Sequence, residues 1–240
     1  SGNISTTATV DGGETGLYLQ YSDGNTTTLI GNISVTGENA TGLQINEGIN
    51  NTTTLTGNIS TTGDGSDAVY FRNGSDSNTI NMTGNISTIG VESHGIKLSG
   101  SDSNTLNITG DITTTGIDGD SEAIFINNSD SNTITLSGSV QALGGDQAIS
   151  ILANSDANTF NIQSGSTFLG DFENLGTNTF ITNQGVMDGI DNTGSIATFN
   201  NAQTGATYSG TLPVNYNIII NSPTSYGQMF VTSEAGSTNF

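Results

Sequence analysis

The tetrapeptide Gly2-Asn3-Ile4-Ser5 returns at Gly31, Gly57 and Gly84, then in altered form as Gly110-Asp111-Ile112-Thr113 and Gly138-Ser139-Val140-Gln141. A second signature, Asn-Thr followed by alternating Thr, Ile, Leu or Phe, runs in step with it at Asn25, Asn51, Asn78, Asn104, Asn132, Asn158 and Asn178. Successive glycines, ending at Gly165, lie 29, 26, 27, 26, 28 and 27 residues apart. A fixed period in this range marks a solenoid, in which each unit buries its apolar side only by stacking on its neighbours.

Each repeat holds three short alternating segments. The first carries Ile4, matched by Ile33, Ile59, Ile86, Ile112 and Val140. The second carries Leu17/Leu19, matched by Leu43/Ile45, Val69/Phe71, Ile96/Leu98, Ile124/Ile126 and Ile149/Ile151. The third follows the Asn-Thr, with Thr27/Leu29, Thr53/Leu55, Ile80/Met82, Leu106/Ile108, Ile134/Leu136 and Phe160/Ile162. Residues i and i+2 of a strand face the same way, so each pair points inward. Three strands and three turns in about 27 residues predict one triangular coil of a parallel β-helix, and the chain is all-β. Helices are not expected, because apolar residues nowhere recur at i, i+3, i+4 and i+7.

The asparagine row predicts a structural ladder along one turn of the stack, with hydrogen bonds passing between side-chain amides and with left-handed φ tolerated. Regular repeats cover residues 2–164 and degenerate coils 165–205, so 1–205 reads as one solenoid. The change of texture at Pro213, Tyr216-Asn217-Ile218-Ile219-Ile220 and Pro223 predicts a C-terminal cap, or a junction to another domain, over 206–240. The first coil has no comparable cap, which suggests cover by residues not in this sequence, by a partner or by another copy.

Composition narrows the function. Only 32% of the 240 residues are hydrophobic, and the net charge is -20 with Arg72 and Lys97 the only basic residues besides one histidine. Low hydrophobicity with high charge suggests disorder, but a disordered chain has no reason to repeat Ile and Leu at matched positions. The acidity argues against nucleic acid and anionic lipid surfaces, since no basic patch exists to neutralise phosphates. Without cysteine there is neither disulfide nor thiolate metal site. No apolar stretch reaches the length of a membrane span. The sequence opens directly on a repeat, with neither initiator Met nor signal peptide, as a mature product or a fragment would.

Chemistry-bearing residues are sparse. Asp23, Asp76, Asp102, Asp130 and Asp156 share the position two before the ladder asparagine, and read first as exposed turn residues. Their like charges, a coil apart, make Asp76, Asp102, Asp130 and Asp156 candidates for weak calcium binding. No other cofactor or metal site is expected, and no catalytic residue. His94 reads as an exposed turn residue beside Glu92, without a nucleophile motif. Arg72 and Lys97 read as local compensation for turn aspartates. Tyr18, Tyr70 and Phe125 face outward on the second strand, with Gln44, Lys97 and Ser150 between them; aromatic rows of this kind can bind sugars, although this one is broken.

Segments of the form Ser-Asp-Ser-Asn-Thr-Ile-x-Leu-x-Gly-x-Ile-x-Thr-x-Gly, at 129–144 and 75–90, resemble the passenger regions of bacterial autotransporters. Leu212-Pro213-Val214-Asn215-Tyr216-Asn217-Ile218-Ile219-Ile220-Asn221-Ser222-Pro223, continuing to Tyr226-Gly227-Gln228, resembles the stretch before their outer-membrane translocator. The resemblance implies a right-handed parallel β-helix exported through a C-terminal barrel to the extracellular side of a Gram-negative cell surface. No barrel follows within these residues, which departs from that pattern. The expected role is a non-enzymatic stalk, adhesin or matrix element, with a surface glycan or other cell-surface ligand as the partner class. An alternative is a filament subunit stacking end to end, a homo-polymer. A polysaccharide-active β-helix enzyme is the minor alternative.

Overall fold

The computed structural model describes residues 1–7, 13–117, 120–145 and 147–240. It is an all-β parallel solenoid of about nine turns with about 26 residues per turn, and no helix occurs among the described residues. Three parallel sheets run along its axis. The first has seven strands, from Ile4–Thr7 to Thr167–Leu169. The second has ten, from Thr15–Gln20 to Met229–Ala235, and the third nine, from Thr26–Ile30 to Asn215–Ile218.

The inward pairs stack in register. Ile4, Ile33, Ile59, Ile86, Ile112 and Val140 form one column of the first sheet. Leu43, Val69, Ile96, Ile124 and Ile149 follow one another in the second sheet, as Leu55, Met82, Ile108, Leu136 and Ile162 do in the third. From Ile33 onward these side chains are fully buried. Each coil thus hides its apolar edge only against the coils above and below, the stabilisation that repetition predicts.

Polar groups inside the stack find partners at fixed positions. Thr61, Thr88 and Thr114 point inward, and each Oγ1 donates to the carbonyl of Ser66, Ser93 or Ser121 at 2.6–3.1 Å. Those serines form their own turn column, in which the backbone N–H of Ser66 donates to Ser93 Oγ at 2.9 Å. The repeat glycines answer a close approach of chains. Gly57 has φ of +145°, and a Cβ there would collide with the carbonyl oxygen of Gly31 one coil earlier.

Past residue 165 the coil shortens. Registered partners in the second sheet step by 26, 27 and 28 residues from Leu43 through Val69 and Ile96 to Ile124, but by 18 from Phe172 to Ile190 and again to Tyr208. The cause is the end of the first sheet at Thr167–Leu169, after which each coil has strands in the second and third sheets only. Buried asparagines fill the narrower interior. Asn174 Nδ2 donates to Asn192 Oδ1 at 2.7 Å, and Asn192 Nδ2 to the Tyr208 hydroxyl at 2.9 Å. In parallel, Asn183 Nδ2 donates to Asn201 Oδ1, and Asn201 Nδ2 to the Tyr216 hydroxyl.

The sheets continue beyond the sequence boundary at 206. Ala206–Thr211 pairs with Gly189–Asn192 and then with Met229–Ala235, and Asn215–Ile218 pairs with Ile196–Asn201, all in parallel. The altered texture reflects an antiparallel hairpin, Ile220–Ser222 with Ser225–Tyr226, inserted between solenoid strands. Pro223 sits in its turn, where a missing N–H costs nothing.

Candidate functional site

The predicted ladder asparagines hydrogen-bond mainly through the backbone. The N–H of Asn25 donates to Asn51 Oδ1, that of Asn51 to Asn78, Asn78 to Asn104, Asn104 to Asn132 and Asn132 to Asn158, at 2.8–3.0 Å. An amide-to-amide bond joins Asn51 Nδ2 to Asn78 Oδ1, while Asn78, Asn132 and Asn158 turn Nδ2 to carbonyls of Gly48, Ser101 and Ser129. Left-handed φ belongs to the residue before the ladder: Gly24, Asn50, Ser77, Ser103, Ser131 and Ala157. Asn178 stands out of line. It has φ of +60° and is exposed, and Thr179 takes the buried place, because a shorter coil shifts the register there by one residue.

The aspartate row is a second, outer ladder of opposite sense. Asp76 Oδ1 accepts from the N–H of Asp102, Asp102 from Asp130, and Asp130 from Asp156, at 2.7–2.8 Å. Asp156 Oδ1 accepts from both the N–H and Oγ1 of Thr177. One carboxylate oxygen of each is therefore spent on the turn of the next coil. Among the described residues, no group of three or more His, Asp or Glu side chains is placed to hold a metal ion.

The concentrated chemistry lies elsewhere, on the outer face of the second sheet. The outward column there reads Gln44, Tyr70, Lys97, Phe125, Ser150 and Glu173 in strict register. Beside it runs a column set just before the strands: Asp67, His94 and Glu122, one per coil. His94 is not the exposed turn residue its sequence context predicts, being 4% exposed, as are Asp67 and Glu122. Asp67 Oδ1 accepts from His94 Nδ1 at 2.8 Å and from the His94 backbone N–H at 3.0 Å. On the far side, His94 Nε2 lies 3.2 Å from Glu122 Oε2, an ion pair without hydrogen-bond alignment, so both atoms are buried with no hydrogen bond made.

Lys97 Nζ completes the cluster at 3.5 Å from Asp67 Oδ2, lodged 5.3 Å from the Tyr70 ring centre and 6.0 Å from that of Phe125. The Phe125 ring packs 4.8 Å from the imidazole. Arg72 lies over Tyr70 at 5.6 Å. Burial pushes the His94 pKa down, but the hydrogen bond to Asp67 and the nearby Glu122 carboxylate outweigh it, and the net shift is upward. With His94 protonated, two cations balance two buried carboxylates. Both imidazole nitrogens face carboxylates, so the ring is held as a charge partner rather than presented to a nucleophile.

Turns joining the first sheet to the second lean over this column and make a groove of about 610 Å³. Asn39, Gly65, Glu92 and Asp120 form its turn side, and Lys97, Phe125, Ser150 and Glu173 its sheet side, with His94 and Glu122 between. Glu173 Oε2 accepts from Ser150 Oγ at 2.8 Å. Sequence reading missed Asp67 and Glu122. The available signal was positional: Asp67-Ala68-Val69, His94-Gly95-Ile96 and Glu122-Ala123-Ile124 place acid, base and acid at one point of successive repeats. No protein-family model matches the chain, and neither a curated protein nor a solved structure matches it.

Proposed function

We propose that this chain is a non-enzymatic extracellular solenoid, displayed at a bacterial surface as a stalk, adhesin or matrix element after export as an autotransporter-like passenger. The observation that carries this reading is the continuous pairing of parallel strands across about nine turns. Such a stack, rising roughly 4.8 Å per coil, is a stiff spacer on the order of 40 Å long. The resemblance of residues 75–90, 129–144 and 212–228 to exported passengers supplies the location. The confinement of His94 between Asp67 and Glu122 supports a role without acid–base turnover.

Protease shaving of intact source cells tests the placement. Release of peptides from this chain, with the cytoplasm still closed, is the expected result; protection until lysis would overturn it. A second reading, end-to-end assembly, is favoured by the apolar face around Ile218, Ile220 and Phe230, beside the last strands of the second and third sheets. Negative-stain images over rising concentration distinguish short single rods from filaments.

A further inference from the structure

We propose that the groove over the second sheet binds a neutral oligosaccharide, which deepens the surface-display reading and rests on it. The first argument is the unspent hydrogen-bonding capacity between the turns and the sheet. His94 Nε2 is a donor and Glu122 Oε2 an acceptor, both buried and neither satisfied by the other. A hydroxyl accepts from one and donates to the other at once, which a fully ionised anion or an ammonium cation cannot do.

The second argument is charge. Asp67, Glu122, Lys97 and protonated His94 cancel, leaving Glu92, Asp120 and Glu173 as the net charge of the groove. That potential repels uronates, sulfated sugars and phosphates. The remaining lining mixes amide, hydroxyl and carboxylate with the Phe125 ring, an apolar surface among convergent polar groups. Polyols with one apolar ring face match it. The third argument is shape. Phe125, Ser150 and Glu173 succeed one another along the axis at strand spacing, roughly 4.8 Å, with the buried Ser150 holding the Glu173 carboxylate, so an elongated ligand meets the ring and the carboxylate on different coils.

The test is calorimetric titration of the intact chain with neutral hexasaccharides of glucose, mannose, galactose and N-acetylglucosamine, beside oligogalacturonate and oligolysine. Saturable binding of a neutral sugar is expected, weakened roughly tenfold by Phe125→Ala. Should that variant misfold, Glu173→Ala at a half-buried position gives the second measure, with a loss of about fivefold. Absence of binding to every neutral sugar, or binding untouched by both folded variants, overturns the proposal. So does preference for oligolysine or oligogalacturonate. Reducing ends appearing in the titrated mixture would instead overturn the non-enzymatic reading and leave the binding site standing.

Discussion

His94 Nδ1 lies 2.8 Å from Asp67 Oδ1, its counterpart one coil earlier, and both side chains are almost entirely removed from solvent. Together with the His94–Glu122 pair it ties three successive coils by charge, whereas the asparagine and serine columns tie them through neutral groups.

The stability this tie supplies depends on pH with a definite sign. The folded pKa of His94 is raised above its ordinary 6.5. Its contribution is therefore complete below about pH 6.5 and is lost as pH rises through the folded value. Replacing His94 by Gln should cost about 3 kcal/mol near pH 6, where Asp67 and Glu122 lose their cation. The gap between native chain and variant should narrow by pH 9. Urea unfolding at three pH values measures it, and a gap that widened with pH would contradict the protonated assignment.

Two members of the asparagine series, one inside the ladder and one at its far end, should respond differently to substitution. Asn78 is fully buried; its Oδ1 accepts from both nitrogens of Asn51 and its Nδ2 donates to Gly48. Asn78→Ala strands these groups and should cost about 3 kcal/mol. Asn178→Gly, at an exposed left-handed position, should stay within about 0.5 kcal/mol. Equal losses in chemical denaturation would show that Asn178 belongs to the ladder after all.

Glycines offer a similar contrast. Gly74 has φ of +73° with open space where a Cβ would go, so Gly74→Ala should cost only about 1–2 kcal/mol. Gly57→Ala adds a collision with the Gly31 carbonyl, and should exceed that cost severalfold or prevent folding. Soluble yield and thermal midpoint of the two variants decide the point.

In the outer row, Asp102→Asn keeps an oxygen for the N–H of Asp130 while removing a charge between two like neighbours. Stability should rise by about 0.5 kcal/mol at low salt and converge with the native chain at high salt. Calcium chloride and sodium chloride at matched ionic strength should raise the native midpoint alike. An excess for calcium that Asp102→Asn abolishes would establish coordination by the row.

How legible all this was in the sequence depended on how local its cause is. The inward columns headed by Ile33, Leu43 and Leu55 follow from period-two alternation, a property of the strand itself, and they sit where that alternation puts them. Asn178 went astray because its register depends on the end of the first sheet nine residues earlier, at Leu169, which no pattern around the asparagine reports. Continuation of the sheets past residue 206 was hidden by Pro213 and by the inserted hairpin with Pro223 and the exposed Ile220, which change the texture of the sequence there. His94 was misread for a further reason. Its burial is conferred by turns of other coils leaning over it, and a titratable residue in a turn carries no mark of such cover.

Because each coil of about 26 residues holds to the next through its own strand pairs and ladder bonds, a pull along the axis meets them one coil at a time rather than all together. Drawn out, such a coil lengthens by roughly 90 Å, so a tethered rod would yield in successive steps and dissipate work at each. The same stacking that suits the molecule to the proposed spacer role would let it absorb a pull, with the charged knot at His94 an added tie between three coils.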